Sequence, residues 1–241
     1  AGAFTRFVMR PVFHRLRQWD VLSANRVDLF AANSRTVARR IARHYRREAE
    51  VIHPPVDVER FTPKEGLFAE PEDYYLCLGQ LNAYKRVDVA VRAFSRMKKN
   101  LIVVGQGPEE AKLRSMAGQT VSFKGRVGGP EMVTYLQRCK ALIFPGEEDF
   151  GIVPVEATAA GRPVIAYAKG GATESVVDGR TGLFFAEQTP EAVEEAVNRF
   201  EALPGGFDPA ALNAHARTFS EEVFASAFMR LVEKALGGYR A

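Results

Sequence analysis

The sequence predicts an α/β fold in which a parallel sheet carries helices on both faces. Beyond Asp73, short apolar runs alternate with amphipathic stretches of helical period. Alternation at this spacing is typical of βα units, whose helices cover both faces of a parallel sheet. We expect strands at 74–78, 101–104, 121–123, 141–144, 163–166 and 182–184, and helices at 87–98, 109–116, 130–137, 152–160 and 190–200.

The front of the chain, residues 1–55, is predicted to be the end of an earlier domain. Its elements amount to about two βα units, which bury too little surface for an independent domain. The elements are a helix at 7–25 with Val8, Val12, Leu16 and Trp19 on one stripe, a strand at 28–32, a basic helix capped by Asn33-Ser34, and a strand at 50–53.

The remaining boundaries follow from changes in pattern. Residues 56–73 are rich in proline and show little periodicity, which indicates a linker,. The main domain is expected at 74–217. Two helices, at 209–217 and 220–236, close the chain, and we expect the region 218–241 to dock back on the first domain.

Composition is that of a soluble globular protein with a substantial core. The 241 residues are 46% hydrophobic and 26% charged,. No apolar run approaches the roughly 18 residues of a membrane span, and no signal-peptide pattern is seen. Cys77 and Cys139 fall in a predicted strand and helix, so we expect reduced core thiols in a cytoplasmic protein.

The net charge of +4 is concentrated at the front, where residues 1–50 hold eleven arginines and four acidic residues. Many of the arginines lie on the basic helix, opposite Val37, Ile41 and Tyr45. This face is either simply solvated or contacts anionic lipid or a phosphorylated acceptor. Nucleic acid is not expected, because stacking aromatics and a known binding module are missing. The arginines are Arg35, Arg39, Arg43 and Arg46.

The stretch 144–183 is the strongest candidate for a site. Glu148 lies before a predicted helix and Glu156 lies within it, so both can face a crevice at the carboxyl end of the sheet,. A carboxylate can accept hydrogen bonds from adjacent hydroxyls of a sugar or ribose. An acid/base pair of the hydrolase type is the alternative for these two residues.

Weaker signals surround this stretch. Gly105 and Gly107 follow a strand and admit either a phosphate or an ordinary βα turn; they do not form a dinucleotide fingerprint,. Lys85 and Arg86 follow the first strand of the main domain, where they either pair with phosphate or are simply solvated at the start of a helix,. The four histidines are scattered, and no metal motif, Walker loop or G-x-S-x-G elbow occurs,. We therefore predict no metal site.

Together these segments resemble the retaining family 4 glycosyltransferases of GT-B fold. They occur in family order over most of residues 26–185, and the last is the most specific, because two glutamates, the FG pair and a GG-x-x-E-x-V-x-x-G-x-T-G run coincide in it. The segments are ANSRTVARRIARHY with VIHPPVDVERF, LGQLNAYKRVDVAVRAF, VVGQGPE, FKGRV and FPGEEDFGIVPVEATAAGRPVIAYAKGGATESVVDGRTGLFF.

The resemblance implies a Rossmann-like nucleotide-sugar (donor) domain preceded by a partial Rossmann-like acceptor domain. It assigns the ribose to Glu156, the donor sugar to Glu148 and the diphosphate leaving group to Lys85. Many members have arginine at Gln80; here either Arg86 compensates or the leaving group is less stabilised. Further donor contacts are expected from Gly79, Gly105, Gly107, Arg126, Val127, Phe150, Gly151, Ile152 and Val153.

The implied reaction moves a sugar from a nucleotide diphosphate to a glycan or lipid-linked acceptor with retained configuration, without metal or cofactor. RPVFHRLRQWD and HPPVD resemble bacterial polysaccharide mannosyltransferases, which favours GDP-mannose over a UDP-sugar. Peripheral contact with the inner face of the plasma membrane would use the basic helix. Two alternatives stay open, namely a nucleotide-sugar-binding fragment without turnover and a nucleotide-sugar epimerase of GT-B fold.

Overall fold

A computed structural model describes residues 3–238, which fall into two compact units. Unit 1 comprises Ala1–Ile52 with Ser226–Ala241, and unit 2 comprises His53–Ala225. Unit 2 thus begins at His53 and includes the stretch 56–73, which is predicted to be a linker. The last helix begins in unit 2 and belongs to unit 1 from Ser226 onward; its docking on a first domain stays a prediction.

Unit 1 opens with a long helix followed by a small parallel sheet. Ser34 caps the basic helix, since its hydroxyl accepts a 3.1 Å hydrogen bond from the amide of Val37. The two strands pair with Phe30 opposite Ala49. The elements are α1 (Ala3–Ala24), β1 (Phe30–Ala32), α2 (Arg35–Tyr45) and β2 (Ala49–Val51).

The apolar stripe predicted on α1 is present but exposed. Leu16 is 50% and Trp19 67% accessible, and Val8 and Val12 are similarly open. Among residues 3–238, no helix is both long and apolar enough to cross a membrane.

The predicted linker at 56–73 is corrected by the structure. It contains a helical turn, α3 (Val58–Phe61), followed by a 3₁₀ turn at Lys64–Gly66. Val58 and Phe61 are almost fully buried in the core of unit 2. The prolines hid this turn, because burial against distant helices rather than local periodicity stabilises it.

The rest of unit 2 confirms the predicted fold class of a parallel sheet flanked by helices. The predicted strands and helices all form, with ends shifted by a few residues at most, and α8 is an addition. In order they are β3 (Tyr75–Leu78), α4 (Val87–Met97), β4 (Leu101–Val104), α5 (Glu110–Met116), β5 (Val121–Gly125), α6 (Gly129–Arg138), β6 (Leu142–Phe144), α7 (Ile152–Ala159), β7 (Val164–Tyr167), α8 (Ala172–Ser175), β8 (Gly182–Phe185), α9 (Pro190–Glu201), α10 (Pro209–Ala216) and α11 (Glu221–Gly238).

Alternating side chains of the strands fill separate cores on the two faces of the sheet. On β3, Leu76 enters one cluster while Tyr75 and Cys77 enter the other. Both faces are therefore covered, as continuous apolar strands require. Cys77 and Cys139 are free and buried, and burial raises the pKa of each thiol to about 12.

The sheet has the order β5-β4-β3-β6-β7-β8, with all neighbours parallel. The chain winds outward from β3 in one direction and then returns to start the other half at β6. The carboxyl ends of β3 and β6 thus flank a topological switch point. In open α/β sheets, ligands bind in the crevice formed there.

Candidate functional site

An ion pair spans the switch point. Lys85 Nζ donates to Glu148 Oε1 at 2.6 Å, from the loop after β3 to the loop after β6. The two side chains are 15% and 19% exposed, so both charges are largely but not fully withdrawn from solvent. The structure brings together the two residues to which the resemblance gives sugar and diphosphate contacts.

Backbone packing sets the position of Lys85. It ends a 3₁₀ turn, Ala83–Lys85, and the loop after β6 passes so closely that a Cβ on Gly146 would lie 2.9 Å from the Lys85 Cα. Gly79 lies beneath the ammonium group, and a Cβ there would lie 3.3 Å from Nζ. Small residues on both sides thus let the lysine reach Glu148.

The loop that carries Glu148 is held by the turn at Gly170-Gly171. The amide of Gly171 donates to the carbonyl of Glu148 at 2.8 Å. A Cβ on Gly171 would overlap the backbone of Phe150, and one on Gly170 would lie 2.5 Å from the Glu148 oxygen. The two glycines therefore permit the backbone of their turn to contact the backbone of the acidic loop, and this contact fixes the position of the loop.

Gly151 turns this loop into α7. Its φ of +81° lies in the left-handed region, and a Cβ would lie 3.0 Å from the ring of Phe144,. The first amides of α7 have no partners within the helix and can face an anion. The side chain of Phe150 is buried, Ile152 is 43% exposed and Val153 packs on the core, so Phe150 can offer only its backbone to a ligand.

Glu156 lies in the second turn of α7 and is half-buried. Within the described part of the chain, its carboxylate makes no hydrogen bond or ion pair. Burial raises the pKa of this carboxyl, and the nearby positive charge of Arg60 partly opposes the rise. A carboxylate that is partly withdrawn from solvent and has no hydrogen-bond partner among the described residues is available to accept from a ligand,.

The glycines at 79, 105 and 107 have a packing role of their own. Gly105 has a φ of +137°, and a Cβ there would overlap the carbonyl oxygen of Gly79. A Cβ on Gly107 would lie 2.5 Å from the carbonyl oxygen of Leu81. These contacts hold the loops after β3 and β4 together, which accounts for the glycines without any ligand.

Arg86 is engaged elsewhere. Its guanidinium donates to Asp88 Oδ1 at 3.1 Å, to Gln188 Oε1 at 3.4 Å and to the Gln188 carbonyl at 3.3 Å. Gln80 is exposed; its side-chain Oε1 accepts from the Asn82 side chain at 3.2 Å, and its carbonyl accepts from the Asn82 amide at 3.0 Å. Arg86 is thus hydrogen-bonded to groups of the protein, and the choice between compensation by Arg86 and a less stabilised leaving group stays a prediction.

Arg126 and Val127 follow the edge strand β5, two strands away from β3. Adjacent strands are about 4.8 Å apart, which puts them roughly 10 Å along the crevice from β3. Arg126 is exposed and Val127 is half-buried. They stand apart from Lys85 and Glu148, at a spacing suited to the far end of an extended ligand.

Three nearby residues were missed by reasoning from the sequence. Arg60 lowers the raised pKa of Glu156 and lies against Gly129. His53 hydrogen-bonds to Glu174 at 3.1 Å, and its ring stacks on Phe150. His53 and Glu174 are 121 residues apart, so no local pattern marked them. Only HPPVD and GGATES, already part of the resemblance, could have drawn attention to them.

The described residues contain no group of three or more His, Cys, Asp or Glu side chains that could hold a metal ion. Glu147, Glu148 and Asp149 are neighbours on one loop, without a partnering cluster. A metal-independent site stays a prediction.

Comparison with known proteins gives a consistent picture. The family model described as Glycosyl transferases group 1 matches residues 58–218. A D-inositol 3-phosphate glycosyltransferase of Streptomyces avermitilis is 30% identical over 95% of this chain and 56% of its own length. One from Streptomyces scabiei is 29% identical over 88% of this chain and 55% of its own length. The chain thus spans about half the length of the curated relatives it matches.

Solved structures share the fold. Sucrose-phosphate synthase from Thermosynechococcus elongatus has a TM-score of 0.73 at 23% identity, covering 92% of this chain and 62% of that chain. Anabaena HepE in complex with UDP and glucose has a TM-score of 0.73 at 18% identity, covering 90% of this chain and 66% of that chain. At such identities the likeness shows the fold alone, and it confirms the predicted GT-B-type architecture.

Proposed function

Because the chain belongs to the glycosyl transferases group 1 family, we propose that it binds a nucleoside-diphosphate sugar and transfers the sugar with retained anomeric configuration. The observation that carries this proposal is the Lys85–Glu148 pair at the switch point, 2.6 Å long and flanked by the amino terminus of α7. An ammonium group, free helix amides and a carboxylate within one crevice suit a diphosphate beside a hydroxyl-rich sugar.

In the proposed complex, the diphosphate lies against Lys85 and the first amides of α7. Departure of the diphosphate builds negative charge, and fixed donors aimed at that charge lower the barrier. Glu148 would accept from sugar hydroxyls, and Glu156 from the two ribose hydroxyls. Arg126 and Val127 would lie beside the base. The step breaks the bond between the anomeric carbon and the diphosphate oxygen, forms one to the oxygen of an acceptor hydroxyl, and passes the proton of that hydroxyl to the departing diphosphate oxygen.

We propose a front-face route with retention, which needs no nucleophile from the protein. Glu148 is already hydrogen-bonded to Lys85, which lowers its nucleophilic character,. Charge stabilisation by Lys85 and helix amides also removes the need for a metal.

The donor is proposed to be a UDP-sugar or GDP-mannose. Likeness to a structure that holds UDP and glucose favours the former, and HPPVD with the front segment favours the latter. The acceptor is proposed to be a glycan or lipid-linked sugar bearing an anionic group. The curated relatives are named for D-inositol 3-phosphate, which carries phosphate.

The basic helix α2 supports an anionic partner. Arg39 and Arg43 are exposed on it, Arg46 is exposed directly after its last residue, and residues 1–50 carry seven net positive charges. Each arginine near an anionic membrane contributes about 1 kcal/mol. We accordingly propose that the protein acts in the cytoplasm, with peripheral contact at the inner face of the plasma membrane through α2.

Calorimetry tests the proposal, with UDP, GDP, UDP-glucose and GDP-mannose titrated into the chain. We expect one nucleoside diphosphate to bind, and binding to weaken in Lys85→Ala and Glu156→Ala. A donor-hydrolysis assay then separates transferase from a binding module, since binding without turnover favours the module. If none of the four ligands binds, the proposal fails.

A further inference from the structure

His53, which forms no part of the predicted site, lies against the loop that carries Glu148. Its ring stacks on Phe150 with 5.2 Å between centroids and 26° between planes. Its Nε2 donates to Glu174 Oε2 at 3.1 Å, and the Glu174 side chain is only 6% exposed. The imidazole is thus hydrogen-bonded to a carboxylate through Nε2, and its ring face packs on Phe150, which directly follows the acidic residues of the loop.

His53 is itself well anchored within unit 2. It precedes Pro54-Pro55, whose rings restrict the backbone. The amide of Val56 then donates to the carbonyl of Phe219 at 2.9 Å, and the ring of Phe219 lies 5.4 Å from that of His53. These contacts fix the position of His53 independently of its contact with Phe150.

The contacts form a closed circuit around the acidic loop. The amide of Gly171 donates to the Glu148 carbonyl at 2.8 Å, and the amide of Glu174 donates to the Gly171 carbonyl at 2.9 Å. Glu174 accepts from His53, and His53 stacks on Phe150. Both ends of the segment 148–150 are thereby tied to one rigid unit.

We propose that His53 is a positioning residue that, through Phe150, fixes the loop presenting Glu148 to the donor sugar. The role in donor binding rests on the proposed function; the ordering of the loop does not. Without His53, Phe150 keeps only its tilted ring contact with Phe219, at 5.7 Å between centroids, and Glu174 loses a donor. The segment 148–151 therefore gains freedom that sugar binding must remove.

His215 provides a matched control. It belongs to the same aromatic group, since its ring meets Phe219 edge-on at 5.6 Å, and its Nε2 hydrogen-bonds to the carbonyl of Ser175 at 2.8 Å. Among the ring contacts of the described residues, it has none with Phe150. Replacing it disturbs the cluster to a similar extent but leaves the circuit around the loop intact.

Hydrogen exchange measured by mass spectrometry, in the absence of ligand, tests the ordering. We expect the amides of 148–151 to exchange at least about tenfold faster in His53→Ala and to stay within about twofold of the wild-type rate in His215→Ala. His53→Phe, which keeps a ring and loses the hydrogen bond, should lie between; it replaces His53→Ala if that variant does not fold. Unchanged exchange in the His53 variants, or equal acceleration in His215→Ala, would overturn the proposal.

Calorimetry of the same variants tests the consequence for the donor. His53→Ala should weaken binding of UDP-glucose or GDP-mannose about fivefold more than binding of the matching diphosphate, whereas His215→Ala should leave that ratio unchanged. An equal loss for sugar and diphosphate would contradict positioning at the sugar. If no nucleotide binds to any form, the proposed function fails while the exchange result still decides the role of His53.

Discussion

Lys85 and Glu148 meet across the switch point of the sheet, with Nζ and Oε1 2.6 Å apart, although 63 residues separate them. In the free protein the two charges neutralise each other. A diphosphate that approaches Lys85 must therefore compete with a carboxylate already in place, while sugar hydroxyls can join Glu148 without displacing the lysine. We therefore expect loss of the Lys85 charge to weaken binding of the diphosphate and loss of the Glu148 charge to strengthen it.

Lys85→Ala should weaken binding of the nucleoside diphosphate about tenfold to a hundredfold, because a charge-assisted hydrogen bond contributes about 1.5–3 kcal/mol. Transfer should fall at least about tenfold. Calorimetry and initial rates measure both effects. Lys140→Ala is the control, since Lys140 pairs with Asp73 ahead of β3, at the amino end of the sheet. Equal losses in both variants would contradict the assignment.

Glu148→Gln should strengthen binding of the free diphosphate by up to about fivefold, because Lys85 is released from a partner worth up to about 1 kcal/mol. The same change should weaken the preference for the sugar-bearing donor. Paired titrations of the diphosphate and its sugar conjugate measure the ratio of their two dissociation constants. A diphosphate affinity that falls would show that Glu148 positions Lys85 rather than competing for it.

Glu156→Gln should stabilise the protein and impair donor binding. Burial raises the pKa of Glu156, so the folded state holds this proton more tightly than the unfolded chain. The ionised carboxylate therefore costs stability above its unfolded pKa of about 4.3, and the cost grows as pH rises through the folded pKa. At pH 7 the variant should gain about 0.5–2 kcal/mol.

Thermal unfolding at pH 7 and near pH 4 checks this sign, since the gain should vanish at the lower pH. Donor affinity of the unmodified protein should decline as pH falls through the raised pKa. Glu195→Gln, at a side chain that is 76% exposed, is the control and should change neither quantity. A gain that persists near pH 4 would show that burial of the charge is not its cause.

Gly105→Ala should destabilise unit 2 by about 3 kcal/mol, because a Cβ would overlap the Gly79 carbonyl and φ is +137°,. Gly128→Ala is the matched control, since a Cβ there would have open space for 4 Å around it among the described residues, and φ is not positive; it should cost less than about 1 kcal/mol. Denaturant unfolding distinguishes the two. Similar losses would mean that the close approach of the loops is not required.

Arg162→Ala should cost about 3 kcal/mol. The guanidinium is almost fully buried and donates to the carbonyls of Gln137, at 2.8 Å from Nε, and of Ala69. Its loss removes the charged donor from both carbonyls, and a hydrogen bond to a charged group contributes about 1.5–3 kcal/mol. Arg138→Ala removes an exposed pair with Glu72 and should cost under about 1 kcal/mol,. Unfolding in urea compares the two, and a small loss for Arg162→Ala would show that water replaces its contacts.

The elements of unit 2 could be predicted almost completely, because apolar strands, amphipathic helices and glycine turns are local patterns. The exceptions are instructive. α3 lies in a proline-rich stretch that lacks a periodic pattern, and it forms because Val58 and Phe61 are buried by helices distant in sequence. α8 is a single turn, too short to show a period.

The sequence alone determined the fold class, the position of the acidic loop and the residue types available for a donor, since these depend on neighbours along the chain. Only the tertiary structure decided which of them meet. Strand order placed Lys85 on Glu148, packing engaged Arg86 with Asp88 and Gln188, and a contact over 121 residues set His53 against Glu174. Such pairings depend on how the sheet is assembled, and no local pattern encodes them.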